Sequence, residues 1–206
     1  PHMANDAHAG VALLVRLFQW LRGNETRYTY RLVLGPEHLG TVFYLRDRDP
    51  AEINRFVGGM FVEMPGVRAP LKLASSFLGG LPIERALHHA LRHYSAGYVI
   101  VPWRKGAGND ETVWEAPGYE VPFCELTRCI DQFAPYPEYH TSLDTPDSLD
   151  AARVEETFSV LQTTIQILEK NAVVMRTFDG LVCLSNPSYD LYIERPDPAV
   201  SKDLPD

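Results

Sequence analysis

Pro135-Tyr136-Pro137-Glu138-Tyr139-His140-Thr141-Ser142-Leu143-Asp144-Thr145-Pro146-Asp147-Ser148-Leu149 concentrates more special chemistry than any other segment of the chain. Prolines at 135, 137 and 146 restrict the backbone, two tyrosines crowd a histidine, and an Asp-Thr-Pro-Asp turn leads onward. From about Leu149 to Asn171 the apolar residues Val154, Phe158, Leu161, Ile165 and Leu168 recur at helical spacing. A rigid polar loop that opens onto an amphipathic helix is the punctuation of an α/β domain.

Working outward, Ala4-Asn5-Asp6-Ala7-His8-Ala9-Gly10 reads as a polar turn before a largely buried helix over Val11 to Leu21, with Arg16 and Gln19 on its wetter side. Thr29 to Leu34 is β-branched and aromatic and predicts a central strand. Gly35-Pro36-Glu37-His38-Leu39-Gly40 is a loop holding an acid beside a histidine, followed by a helical or extended Thr41 to Leu45. Asp49-Pro50 reads as a helix start. Strands are expected within Phe56 to Glu63, Tyr98 to Pro102 and Val121 to Leu126, and a helix over Pro82 to Tyr94. This alternation predicts a three-layer α/β domain with a mainly parallel central sheet flanked by helices. In such sheets, loops beyond the carboxyl ends of the strands gather the chemistry. Asp6, Glu37-His38, Asp110-Glu111 and His140 are all on such loops. The domain is expected over residues 1–177, with 178–206 as a strand or hairpin and a loose tail.

Bulk properties exclude several classes. The 206 residues are 45% hydrophobic and carry a net charge of -8, with a pI near 5.3. No Lys/Arg cluster offers a nucleic-acid platform, and no apolar run reaches the ~20 residues of a membrane span. Cys124, Cys129 and Cys183 form no disulfide pattern and are expected as buried thiols in a cytoplasmic protein. The oligomeric state is not encoded in any motif.

Each polar candidate has a plainer alternative. Asp6 before a helix reads equally as an N-cap, Glu37-His38 as a solvated turn, Asp110-Glu111 as an ordinary loop, and His140 as a packed core histidine. His89 and His93 stand at i, i+4 on one helix, but Arg85 and Arg92 beside them favour a solvated face. Together, the loop carboxylates and imidazoles are zinc ligand types, and a free carboxylate nearby serves as base.

Tyr139-His140-Thr141 followed by Asp144-Thr145-Pro146 resembles the last metal-ligand loop of zinc aminopeptidases related to bacterial leucyl aminopeptidase and glutaminyl cyclase. Closer still is the aminopeptidase-like branch associated with polysaccharide or secondary-metabolite gene clusters. Asn5-Asp6 with Gly10, Pro36-Glu37 with Gly40, and Gly108-Asn109-Asp110-Glu111 occur in the order of that branch. The resemblance implies a zinc-dependent hydrolase of peptide or N-acyl amides with one or two zinc ions. It implies Asp6 and His140 as metal ligands, His38 where the family carries a ligand carboxylate, and Asp110 as ligand or support. Glu37 falls at the general base that takes a proton from the metal-activated water, and Tyr136 and Tyr139 are candidates to line the substrate pocket. The family's first histidine ligand precedes the Asn-Asp turn, so it is expected ahead of Pro1, or else from His2 or His8; Glu63 is the one candidate for a further acidic ligand. The alternatives are a non-catalytic binding domain and a zinc-dependent acyl transferase or cyclase.

Overall fold

The computed structural model describes residues 3–189 together with Leu191 and Tyr192. Contacts divide the chain into a unit of residues 1–171 and a unit of residues 172–206. An irregular helical turn, Ala4–Ala9, leads into α1, Gly10–Leu21. Then follow α2 (Leu39–Arg46), α3 (Pro50–Ile53), β1 (Gly59–Val62), β2 (Lys72–Ala74), α4 (Pro82–Tyr94), β3 (Val99–Val101), α5 (Glu111–Trp114), β4 (Phe123–Thr127) and α6 (Ala151–Lys170).

The sheet order is β1-β4-β2-β3. β1 runs parallel to β4 with Gly59 opposite Phe123, β2 runs parallel to β3, and β2 is antiparallel to β4. The sheet is therefore mixed, with two of its three pairings parallel.

Side-chain alternation along β4 separates two cores. Cys124 and Leu126 join Leu13, Leu17 and Leu21 of α1, Leu87 and Leu91 of α4, and Phe158, Leu161 and Ile165 of α6. Phe123, one residue out of phase, packs instead with Leu45 of α2, Ile53 of α3 and Trp114 of α5. Its ring stacks on Trp114 at 4.8 Å. Helices on both faces of one sheet make the expected layered arrangement.

Local chemistry explains the helix starts. Asp49 accepts the amide of Ala51 ahead of Pro50, and Asp150 accepts those of Ala152 and Arg153. Glu84 of α4 reaches back to the Leu81 amide.

Four expectations need correction. Thr29 to Leu34 forms no strand. It is held through side chains instead, with the Tyr30 hydroxyl on Glu169 and Arg31 on Tyr44 and Glu52. The short β2, which sits inside the sheet, had no composition signal beyond Leu71 and Leu73. Helix α1 is amphipathic rather than largely buried, since Leu13, Leu17 and Leu21 face inward while Val11 and Val15 are exposed. Cys124 and Cys129 are buried, but Cys183 is exposed.

In the second unit, residues 178–189 form turns and no strand among those described, with Asp179-Gly180 and Asn186-Pro187 supplying the turn chemistry. The rest of the expected tail, and His2, lie outside the described residues. None of the described helices is long and apolar enough to cross a membrane.

Candidate functional site

The parallel strands β1 and β4 end side by side, and the chain just beyond each builds the candidate site. After β1, Gly66 donates its amide to the Asn5 side chain at 2.8 Å. A Cβ at Gly66 would sit 3.0 Å from that same Asn5 oxygen and 2.7 Å from Cδ2 of Leu149, so any larger residue has to displace both side chains. Asn5 is thereby docked beside the sheet, and Asp6 follows it with φ -111° and ψ 94°, out of helical geometry. The N-cap positions of the turn and of α1 are Met3 and Ala9, so Asp6 is no N-cap. Its Oδ2 lies 3.2 Å from Nε2 of His140.

The His140 backbone has φ +56°, the left-handed region that costs most residues about 1–3 kcal/mol. Its ring stacks on Tyr139 with centroids 3.8 Å apart and planes 16° from parallel. Asp6, His140, Met3, Thr141, Ser142 and Asp144 line a cleft of about 460 Å³. Burial pushes the Asp6 carboxyl above its ordinary range, the His140 ring opposes that shift, and the charges of Glu37 and Asp144 add to it. The Tyr139 phenol is raised by burial first, then by Asp6, Glu63 and Glu37. Glu37 thus shares the electrostatic neighbourhood of Asp6 although its own side chain is exposed.

The remaining expected residues are distributed less tightly. His38 is exposed just ahead of α2 with φ +55°, and no hydrogen bond or ion pair among the described residues joins it to Asp6 or His140. Asp110 stands at the head of α5, and its buried Oδ1 has no hydrogen-bond partner. Tyr136 does not line the cleft. It is buried, and its hydroxyl donates to Asp144 at 2.8 Å, because a phenol enclosed by the loop must satisfy its O–H. His89 and His93 lie 4.7 Å apart on the exposed side of α4, away from the cleft-lining residues.

Zinc suits the central pair. Neighbouring ligands of a tetrahedral zinc, bound at about 2.0–2.1 Å, stand about 3.3 Å apart, close to the Asp6–His140 separation. Among the described residues, no group of three His, Cys, Asp or Glu side chains converges to hold an ion. What converges is a pair of zinc-ligand types, one carboxylate and one imidazole.

Asp144 and Glu125, to which the sequence assigned no role, help build this region, together with Glu63 and Glu111, which it did single out. Asp144 is 2% exposed and accepts the amides of Asn5 and Asp6. Glu63, Glu111 and Glu125 are buried together, with Glu125 accepting the amides of Ala107 and Gly108, and Asn109 bridging towards Glu63. Burial pushes Glu63 well above its ordinary value, raises Glu125 against the lowering effect of the Ala107 and Gly108 amides, and raises Glu111 to about 7. The signal for Glu125 was a glutamate inside the apolar strand run Cys124-Glu125-Leu126.

The family model described as "Domain of unknown function (DUF4910)" matches residues 1–171. A Clostridium acetobutylicum protein named for polysaccharide biosynthesis with an aminopeptidase-like domain is 25% identical over 174 residues, which are 83% of this chain and 38% of that protein. A solved structure named as a peptidase, from the same species, superposes with a TM-score of 0.73 at 23% identity, over 81% of this chain and 38% of the other. The aminopeptidase from Aneurinibacillus sp. strain AM-1 gives 0.64 at 16% identity, over 83% of this chain and 41% of the other. A zinc aminopeptidase from Bacillus subtilis gives 0.66 at 14% identity, over 83% and 44%. The chain spans less than half the length of each of these proteins, and what they share with it is the aminopeptidase-like fold.

Proposed function

The chain belongs to the domain family DUF4910 and has an aminopeptidase-like fold, and from that premise we propose that it acts as a zinc-dependent hydrolase of peptide or N-acyl amide bonds. The observation that carries this reading is the meeting of Asp6 and His140 at 3.2 Å in an open cleft, with the charge of Glu37 acting on Asp6. Asp6 and His140 would hold zinc, with His38 and Asp110 as further candidates for the set. Zinc, when bound, supplies Lewis acidity towards a carbonyl and lowers the pKa of water. Glu37, exposed at the head of α2, accepts a proton from the attacking water and returns it to the departing amine. Tyr139, stacked behind the His140 ring, fixes the plane in which that imidazole presents Nε2.

Glu37→Gln keeps the side-chain shape and removes the base. The expected result is amide turnover lowered by about 10²–10⁴-fold with zinc content unchanged. Undiminished turnover in that variant refutes the role of Glu37, and a protein that takes up no zinc refutes the metal reading.

One observation favours a second reading, a non-catalytic domain that keeps this fold for binding. The described residues bring only two donors together, and this reading is selected if no divalent ion supports turnover of any amide substrate.

A further inference from the structure

Three consecutive backbone amides, those of Ala4, Asn5 and Asp6, all end on one residue. The Asp144 carbonyl oxygen accepts from Ala4 at 3.1 Å, its Oδ1 from Asn5 at 2.9 Å, and its Oδ2 from Asp6 at 3.2 Å. Oδ2 also takes the hydroxyl of Tyr136 at 2.8 Å. Asp144 is 2% exposed and Tyr136 5%, so water does not replace these bonds easily. The Ala4–Ala9 turn needs them, because amides at the start of a helical segment have no internal acceptor and Asp6 leaves helical geometry altogether.

Asp144 is also four residues from His140 on the same loop. It therefore ties together the two segments whose side chains meet in the cleft. We propose that Asp144 is a positioning residue of this site: held by Tyr136, its carboxylate fixes the Asn5–Asp6 backbone so that the Asp6 carboxylate is presented to His140. The inference rests on the zinc reading only for its consequence in metal affinity; the backbone clamp stands on the hydrogen bonds themselves.

A carboxylate is required because every group aimed at it is a donor, and an ionised carboxylate is acceptor only. In Asp144→Asn one oxygen becomes an NH2 donor. Placed at the Oδ2 position it satisfies Tyr136, whose hydroxyl can turn to accept, but it opposes the Asp6 amide; the Asn5 amide keeps its oxygen. The variant should thus release Asp6 and spare Asn5, a selectivity that a general loss of packing does not produce.

The test combines amide hydrogen exchange, resolved at Asn5 and Asp6, with zinc affinity by competition against a chromophoric chelator, on the whole chain. For Asp144→Asn the expected result is faster exchange at Asp6 with Asn5 retained, and zinc affinity lowered by about 10–100-fold, the usual effect of losing a group that orients a ligand. Tyr136→Phe leaves both backbone acceptors in place and should show the smaller change in each readout; it replaces the first variant should Asp144→Asn not fold. Wild-type zinc affinity in Asp144→Asn, or unchanged exchange at Asp6, overturns the proposal. If the wild-type protein binds no zinc, the metal reading fails and exchange at Asp6 alone decides the clamp, with selective release supporting it and unchanged exchange overturning it.

Discussion

Replacing Arg128 by Met tests how the ends of β1 and β4 are held together. Arg128 directly follows β4 and has no solvent exposure. Its guanidinium donates to the carbonyls of Pro65 at 3.0 Å, Ala69 at 2.6 Å and Arg153 at 3.2 Å, and to the carboxylate of Glu156 at 2.9 Å. It thus pins the loop after β1 to α6. Methionine fills much of the volume but donates nothing, leaving the Pro65 and Ala69 oxygens without this donor. Each buried polar group left unsatisfied costs about 1–3 kcal/mol, so the two give roughly 2–6 kcal/mol. Against this, Met avoids the several kcal/mol needed to desolvate the cation, a cost visible in burial lowering the Arg128 pKa. Glu156 keeps a partner in Arg153 at 2.8 Å, so its charge is not stranded.

The net expectation is a loss of about 1–3 kcal/mol, which for a domain of this size lowers Tm by roughly 2–12 °C. Thermal unfolding followed by circular dichroism, with urea titration to obtain the free energy, measures it. Arg128→Met within about 0.5 kcal/mol of wild type would show that guanidinium desolvation outweighs its hydrogen bonds, and the view of Arg128 as a strut would be wrong.

Gly66→Ala should cost about 1–3 kcal/mol and loosen Asn5, since the new Cβ meets both Asn5 and Leu149; an unshifted melting temperature contradicts the close approach. For Glu111, burial raises the folded-state pKa to about 7, so its contribution is destabilising, absent below the ordinary value of 4.5 and growing until pH passes 7. A shift of this size corresponds to about 3 kcal/mol. Glu111→Gln should therefore gain stability relative to wild type between pH 4.5 and 8, as read from unfolding free energies at both pH values, and parallel pH profiles for the two proteins count against the shift. His140→Gly should melt above His140→Ala, because glycine adopts φ +56° without a Cβ penalty, while both variants lose the Asp6 contact; equal melting temperatures argue that the left-handed backbone stores nothing.

The helices were legible because their signals are local. The expected bounds Pro82 to Tyr94 are those of α4, and Asp49 caps the helix that Asp49-Pro50 marked. The loop around His140 was legible as a site for a similar reason, since proline, histidine and paired tyrosines within a few residues are a composition that ordinary turns do not need. Strands were less visible. Thr29 to Leu34 has strand composition and no ladder, and Lys72–Ala74 has a ladder on both sides and little composition, because a strand is stabilised by neighbours distant in sequence.

What the sequence determined by itself was the layered α/β class, the approximate extents of α1, α4 and α6, and the residue types able to take part in metal-assisted hydrolysis. Only the tertiary structure decided which of them meet. It set Asp6 against His140 across more than 130 residues, moved Tyr136 from the cleft to the back of the loop, and made Asp144 the acceptor for three amides. Hydrogen bonds and electrostatic contacts act over a few ångströms of space, and no spacing along the chain specifies that distance.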